Sequence, residues 1–306
     1  MLPEALLDGF LRPGFAILLA VMAWVGATWV YWDGLRRDMG IAALAWALAT
    51  AVLFPALFPI YVLAIRPRLP GELAWDLPEM LAVASLVIVT LPLGVSLAGG
   101  LQPDFPSLAG AVLVQSGVFL GGCGYVVRVR YGLPLRALGY DAARWSTRLR
   151  TGLLVAAVVI PGVHFVVQPA SKYLLGLLMG QERARWLAEQ EEAANPILRA
   201  LPPISDPGGV VAFALLVAVL VPVAEETFFR GFVYPPLRRR YGARLATLLS
   251  AAFFAAVHLQ VVNFLPILLL GVVLAAVYER TGSLLPAMVI HAANNLVALI
   301  SAYAGQ

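Results

Sequence analysis

Two adjacent carboxylates and an arginine lie inside an apolar stretch of the sequence, PVAEETFFRG at residues 222–231. Glu226 and Arg230 are four residues apart, so on a helix they share one face, and in a low-dielectric environment they should form an ion pair. Glu225 lies about 100° further round the helix and needs a partner from another helix. This spacing suggests a general base, although all three side chains could instead form an ion-pair cluster that holds helices in register.

The histidines are the candidate partners of Glu225, and their depth is counted from the arginine-rich segment 238–244. Glu225 lies 13 residues before this segment and His258 lies 14 residues after it, which places each about 20 Å away at the helical rise of about 1.5 Å per residue. His291 follows Arg280 by 11 residues, or about 16 Å. We therefore expect Glu225, His258 and His291 to lie at one level of the bilayer.

The last apolar stretch contains the sequence HAANN at residues 291–295. His291 and Asn295 are four residues apart and project from the same face of a helix. Together they can donate hydrogen bonds to a developing oxyanion, or they can form a polar clamp between two helices. Combined with Glu225 as a general base and His258 as a second group that orients water, the pair favours hydrolysis of an amide bond.

A metal site is the main chemical alternative. Glu225, His258 and His291 with a water molecule would make a catalytic zinc site, but Asn295 is an uncommon zinc ligand and better suits a donor role. We therefore predict no cofactor and keep zinc as the second possibility. The remaining histidine, His164, has no polar companion nearby in sequence and is interpreted as a packing residue with satisfied hydrogen bonds.

Three motifs in order resemble those of the CPBP family, the type II CAAX prenyl proteases and their bacterial relatives. EETFFR, FAAVH and HAANN match the patterns E-E-x-x-x-R, F-x-x-x-H and H-x-x-x-N, and the similarity covers roughly residues 205–303. The resemblance implies an intramembrane endopeptidase with a glutamate mechanism that needs no metal. It implies water activation by Glu225 and His258, an oxyanion hole from His291 and Asn295, and supporting roles for Glu226 and Arg230.

The composition indicates a membrane protein that must hold these residues between helices. The 306 residues are 61% hydrophobic and 12% charged, whereas soluble domains carry about 25% charged residues. We predict an all-α, polytopic transmembrane bundle of about eight or nine spans. The apolar stretches lie at 11–32, 40–65, 80–102, 107–127, 151–174, 208–237, 245–263, 264–280 and 284–303.

Arginine distribution predicts the orientation of the bundle. The segments 128–150 and 238–244 are rich in arginine and should be cytoplasmic, which places the candidate site beyond the midplane, nearer the outer leaflet. The acidic stretch 177–207 should be an interfacial amphipathic segment on the outer side or a solvated loop. Because topology explains the arginines, nucleic acid is not an expected partner. A bacterial cytoplasmic membrane is the expected location.

The chain divides into two predicted regions. Residues 1–123 should form a four-span region of unknown role, whose acidic residues fall at span ends or in loops, and residues 124–306 the catalytic region. The expected substrate is a membrane-embedded or lipid-linked protein segment, for example one that undergoes C-terminal processing or sorting. A non-catalytic scaffold or a bacteriocin-immunity-type binding protein is the alternative. A proton-coupled transporter fits less well because the inverted repeats of many carriers are missing.

Overall fold

The computed structural model describes residues 12–97 and 104–304, and within these ranges all regular structure is helical. The predicted all-α class is confirmed. In chain order the helices are α1 (Arg12–Arg36), α2 (Ile41–Val52), α3 (Phe54–Ile60), α4 (Leu77–Leu97), α5 (Phe105–Gly124), α6 (Trp145–Gly162), α7 (Gln168–Met179), α8 (Gln181–Ala194), α9 (Pro196–Arg199), α10 (Pro207–Leu215), α11 (Val221–Glu226), α12 (Tyr234–Val257), α13 (Phe264–Thr281) and α14 (Leu284–Ala304).

Wider helical turns continue several of these helices without a break. Short π-helical segments lie at Tyr61–Ile65, Tyr125–Arg130, Val163–Val167, Leu216–Leu220 and Thr227–Val233, and a 3-10 turn spans Leu135–Leu138. A π turn inserts one residue into a helix and often marks a functional site. Two of the five π segments flank α11, the short helix that carries Glu225 and Glu226.

Five helical runs in the described part of the chain are long and apolar enough to cross a membrane. They are Phe105–Arg130, Trp145–Met179, Pro207–Val257, Phe264–Thr281 and Leu284–Ala304, and shorter apolar helices lie at Ile41–Val52, Ala56–Ile65 and Leu77–Val87. The run Pro207–Val257 contains two predicted spans, because Gly242 leaves helical geometry at φ 74° and ψ 168°. The end of the predicted span 80–102 lies outside the described residues.

The chain forms two compact units, residues 1–89 and 90–306. The sequence placed its divider in the basic segment after residue 123, and α5 instead lies in the second unit. The predicted boundary concerns the roles of the two regions, and those roles stay a prediction.

The first unit contains a buried ionic cluster. The Asp33 carboxylate accepts hydrogen bonds from Nε of Arg37 at 2.9 Å, Nε of Arg66 at 3.0 Å and the Tyr61 hydroxyl at 2.9 Å. Arg66 also donates to Glu79 at 2.7 Å. These charges lie near helix ends, as predicted, but they are buried and tie α1, α3 and α4 together. This pairing was not predicted from the sequence.

Acid should weaken the first unit through Glu72, which lies in the loop between α3 and α4. Burial alone would raise the pKa of Glu72, but a hydrogen bond from Arg37, one from the Leu69 N–H and the charge of Arg66 lower it below 4.5. A lowered pKa gives stability that is present above about pH 4.5 and is lost as the pH falls through the folded-state value. We expect Glu72→Gln to reduce the fall in melting temperature between neutral and acid pH, measured in detergent.

The control for this pH dependence is Asp38→Asn, which removes an exposed carboxylate near the end of α1. That variant should lose as much stability in acid as the wild-type chain. An acid-induced fall that is equal in the Glu72→Gln variant and the wild-type chain would contradict the role assigned to Glu72.

In the second unit, capping residues set where the site-bearing helices begin and end. Asp206 accepts a hydrogen bond from the Gly209 N–H at 3.0 Å, and Pro207 occupies the first turn of α10, where its missing N–H costs nothing. Gly282 ends α13 with a left-handed φ of 61° and donates its N–H to the Tyr278 carbonyl at 2.8 Å. These signals fix where α10 begins, where α13 ends and where α14 can start, next to the segment that carries Glu225 and Glu226.

Pro222 explains a contact between the segment that precedes α11 and α14. In the π segment before it, each N–H reaches back five residues, as the Val221 N–H does to the Leu216 carbonyl. Pro222 has no N–H, so the Val217 carbonyl has no such donor. The side chain of Asn295 supplies one, donating from Nδ2 to the Val217 oxygen at 3.0 Å. The proline thereby creates a docking point for α14.

The 3-10 turn supports the π segment that follows α11, on the side of the arginine-rich segments. A Cβ on Gly231 would lie 2.7 Å from the Leu138 carbonyl oxygen, so the two backbones meet where only glycine fits. The Tyr140 hydroxyl lies 2.5 Å from Oγ1 of Thr227, the residue after Glu226. The loop after α5 therefore holds the π segment that follows the two glutamates.

Candidate active site

Glu226 is the centre of a fully buried polar cluster. Its Oε1 accepts a hydrogen bond from Arg230 at 2.8 Å, and both side chains are 0% exposed, so the ion pair expected from the spacing is present. The same oxygen lies 2.8 Å from Nδ1 of His291 on α14. A carboxylate only accepts, so Nδ1 carries the proton in this bond. Glu226 therefore joins α11 to α14, a contact that the sequence did not predict.

Arg230 is held from three sides. Besides Glu226, it donates to the Gly271 carbonyl of α13 at 3.1 Å, and its guanidinium lies 4.5 Å from the centroid of the Phe254 ring. A cation over an aromatic face recovers part of the hydration lost on burial. Arg230 thus links the π segment after α11 to both α12 and α13.

Glu225 occupies the open side of this cluster. Its side chain is 12% exposed, and its Oε2 lies 3.8 Å from Nε2 of His291. That distance is too long for a hydrogen bond, and Oε2 is buried without a hydrogen-bond partner in the described part of the chain. From the helical spacing we expected Glu225 and Glu226 to face different partners, whereas the imidazole of His291 lies between them.

His258 lies at the end of α12, on the other side of Phe254. Its Nδ1 donates to the Phe254 carbonyl at 2.7 Å, so Nε2 takes no part in this hydrogen bond. The Phe254 ring lies 4.7 Å from the His258 ring and 5.7 Å from the His291 ring, measured between centroids. The closest imidazole to Glu225 shown by the contacts is that of His291, while His258 was expected to share its water.

The backbone turns sharply after His258. Leu259 has a left-handed φ of 54°, a conformation that a leucine adopts only under constraint. The carboxylate of Glu191 on α8 holds the following loop, because it accepts hydrogen bonds from the N–H groups of Val261 at 2.6 Å and Val262 at 3.2 Å. This helix lies in the acidic segment that was expected to be interfacial. Its contact with the loop next to His258 is a finding of the structure.

The donor set for a metal is not assembled. Among the described residues, no three His, Cys, Asp or Glu side chains form a cluster that could hold a metal ion. Glu225 and His291 approach each other, and the hydrogen bonds made by Nδ1 of His291 and Nδ1 of His258 leave Nε2 of both rings available. Glu225, His258 and His291 thus form no metal-binding cluster among the described residues, and the expectation of a mechanism without a metal stays a prediction.

The family comparison covers this site. A family model described as type II CAAX prenyl endopeptidase Rce1-like matches residues 207–297, a range that contains all six candidate site residues. Residues 207–297 form an Rce1-like domain. The match begins and ends within a few residues of the region 205–303 that resembled the CPBP family. The chain is therefore an integral, multi-pass membrane protein, and at family level the domain supports a membrane endopeptidase.

A second similarity links the chain to a bacterial protein. The UPF0177 protein YxdF of Lactococcus lactis subsp. lactis (strain IL1403) is 23% identical over 128 residues, which are 42% of this chain and 67% of that protein. No solved structure shows a significant match to the chain. The comparisons thus match residues 207–297 to the Rce1-like family.

Proposed function

We propose that this protein is an intramembrane endopeptidase that cleaves a peptide bond of a membrane-embedded or lipid-linked protein. The observation that carries the proposal is the Glu225 carboxylate of the Rce1-like domain. It is mostly buried, its Oε2 has no hydrogen-bond partner among the described residues, and it lies beside an imidazole whose other nitrogen is fixed by Glu226. An ionisable group placed in this way within an apolar helix suits proton transfer.

A donor role for His291 depends on a proton on Nε2. Nδ1 already donates to Glu226, so Nε2 is the nitrogen left to bond an oxyanion. This nitrogen faces the open side near Glu225. An N–H in this place can stabilise a developing oxyanion.

The mechanism follows from these positions. Glu225 accepts a proton from a water molecule, whose oxygen attacks the scissile carbonyl carbon, while Nε2 of His258 orients that water. The carbonyl oxygen becomes an oxyanion that accepts hydrogen bonds from His291 and Asn295. The carbon–nitrogen bond then breaks, and the proton on Glu225 passes to the leaving amine. The new carboxylic acid then gives its proton to the amine, so the products are a carboxylate and an ammonium group, and Glu225 is regenerated as a carboxylate.

Asn295 has a double role in this scheme, and its substitution tests both parts. One N–H of the Asn295 side chain donates to the Val217 carbonyl, and its second N–H remains to donate to the oxyanion. We expect Asn295→Ala to lower the free energy of unfolding by about 1 kcal/mol and the cleavage rate by about 10²-fold. A full rate would remove the oxyanion role, and an unchanged melting temperature would contradict the clamp to Val217.

The proposed activity is tested in cells that express either the wild-type chain or the Glu225→Gln variant. Mass spectrometry of protein termini in membrane fractions should find proteins that keep an uncleaved terminus only with the variant. Glu182→Gln, which changes an exposed carboxylate on α8, is the matched control and should give the wild-type pattern. Identical termini in wild-type and Glu225→Gln cells would favour a non-catalytic scaffold or an immunity-type binding protein.

A further inference from the structure

A cavity of about 680 Å³ lies apart from the catalytic cluster, within the second unit. Its walls come from the segment between α6 and α7, from α8, from the loop after His258 and from the end of α14. The catalytic residues Glu225, His291 and Asn295 do not line it. Its volume is within the range of pockets that bind small ligands, about 300–1,000 Å³.

The chain path places this cavity at the end of the bundle opposite the arginine-rich segments. Helix α6 begins beside the basic segment 128–150 and reaches the cavity at its far end. The loop after His258 is likewise the far end of α12, whose first turns carry the arginines 238–244. Two of the walls continue directly from the site, because Val262 follows His258 and Val297 follows Asn295 within a few residues.

A polar stripe faces the cavity from an otherwise apolar helix. His164, Gln168 and Lys172 follow each other at intervals of four residues and all line the cavity, as side chains on one helical face do. His164 was predicted to be a packing residue with satisfied hydrogen bonds. That prediction is wrong, since its Nε2 is buried without a hydrogen-bond partner in the described residues. The sequence signal that could have found the stripe is this spacing.

The loop wall of the cavity is fixed by hydrogen bonds. Ser171 donates to the Val262 carbonyl at 2.8 Å, and the amide of Gln168 donates to Asn263 at 3.4 Å, which in turn donates to Gln260 at 3.1 Å. Together with Glu191 on the neighbouring N–H groups, these bonds hold the loop against α7. The wall is therefore preformed, and it holds the segment that begins at His258.

Two charged side chains in the lining are left without partners. The side chains of Lys172 and Glu192 are exposed and make no hydrogen bond or ion pair within the described part of the chain, although both residues line the cavity. Lys172 is the single lysine of the sequence. The cavity thus offers a cation, a carboxylate and a row of carboxamides. A polypeptide presents charges of both signs and the amide donors and acceptors that carboxamides match.

We propose that this cavity binds the polar flank of the polypeptide substrate, the part of its chain that extends beyond the scissile bond on the side opposite the arginines. This assignment rests on the proposed protease function. A lipid headgroup could also carry both charges, but the continuity of the walls with His258 and Asn295 favours the chain that is being cleaved. Lys172 and Glu192 then select substrates by the charges of that flank.

Lys172 provides a direct binding test, because an amine-selective acylating reagent has one lysine to modify. The full-length Glu225→Gln protein in detergent is labelled alone, with a short N-acetylated peptide carrying one glutamate and one arginine, with an uncharged N-acetylated peptide of equal length, or with phosphatidylcholine micelles. The charged peptide should slow acylation of Lys172 about fivefold or more. Equal protection by both peptides, no protection, or protection by the phospholipid alone would overturn the proposal.

Cleavage provides the second test, with Glu189→Gln on the same helix as the matched control for Glu192→Gln. Lys172→Gln and Glu192→Gln should each raise KM for some substrates by about fivefold and leave kcat unchanged, while the control changes neither. Unchanged KM in both variants would overturn the proposed cavity role. Peptide protection of Lys172 without any dependence of cleavage on Glu225 would instead refute the protease function and leave the binding site in place.

Discussion

The Glu225→Gln protein is expected to lose about 10²–10⁴-fold in cleavage rate while keeping its fold. Glutamine has nearly the shape of glutamate but cannot accept a proton from water at neutral pH. The substituted side chain makes no hydrogen bond through Oε2 in the described structure, so little packing or bonding is lost. The measurement is kcat of purified protein in detergent on a substrate found by the comparison of termini, with the melting temperature recorded alongside.

The rate and the melting temperature of this variant together separate a catalytic role of Glu225 from a structural one. The neighbouring Glu226 stays in place in the variant. Removal of a base that acts only in the transition state lowers kcat and kcat/KM equally and leaves KM in place. A rate within a few-fold of wild type would exclude Glu225 as the general base. A large fall in melting temperature would instead show that Glu225 is a structural partner of His291, as in the ion-pair alternative raised by its position.

Local spacing predicted the parts of the site that lie on one helix. Glu226 and Arg230 form the ion pair that a spacing of four residues predicts, although Arg230 lies in the π segment Thr227–Val233. Motif order also placed the site in the segment where the Rce1-like domain was found. Both inferences depend on the sequence alone, without knowledge of how helices pack.

Contacts between helices were not predictable in the same way. Glu226 bonds His291 because α14 packs against α11. Part of this packing is the hydrogen bond from Asn295 to the Val217 carbonyl, which Pro222 leaves without a backbone donor. The angle of about 100° between Glu225 and Glu226 separates their directions on α11 but does not say which side chains of other helices they meet. An imidazole between two long carboxylates can also meet both of them.

The buried cluster of the first unit shows the same limit. Asp33 and Arg66 each lie at a helix end, where a charge is usually solvated and needs no partner. Only the fold brings them within 3.0 Å of each other. Span ends therefore predicted where the charges lie along the chain, and the packing of α1 against the end of α3 decided that they are buried.

Removal of Arg230 should cause the largest loss of stability in the second unit. Arg230→Met leaves the fully buried Glu226 carboxylate without its guanidinium, and loss of one partner of a buried ion pair costs about 3–5 kcal/mol. Methionine retains most of the side-chain volume, so the loss reports charge rather than a cavity. Thermal unfolding in detergent measures the effect. Arg238→Met is the control, since its pair with Glu279 is largely exposed and should contribute less than about 1 kcal/mol.

The double variant Glu226→Gln with Arg230→Met separates the pair from its two members. If the cost of Arg230→Met comes from an uncompensated carboxylate, then neutralising Glu226 as well should recover much of it, so the two effects are less than additive. Glutamine still accepts the hydrogen bond from His291, which keeps α11 joined to α14. Additive losses would mean that Arg230 acts through Gly271 and Phe254, its contacts on α13 and α12, and that Glu226 holds His291 independently.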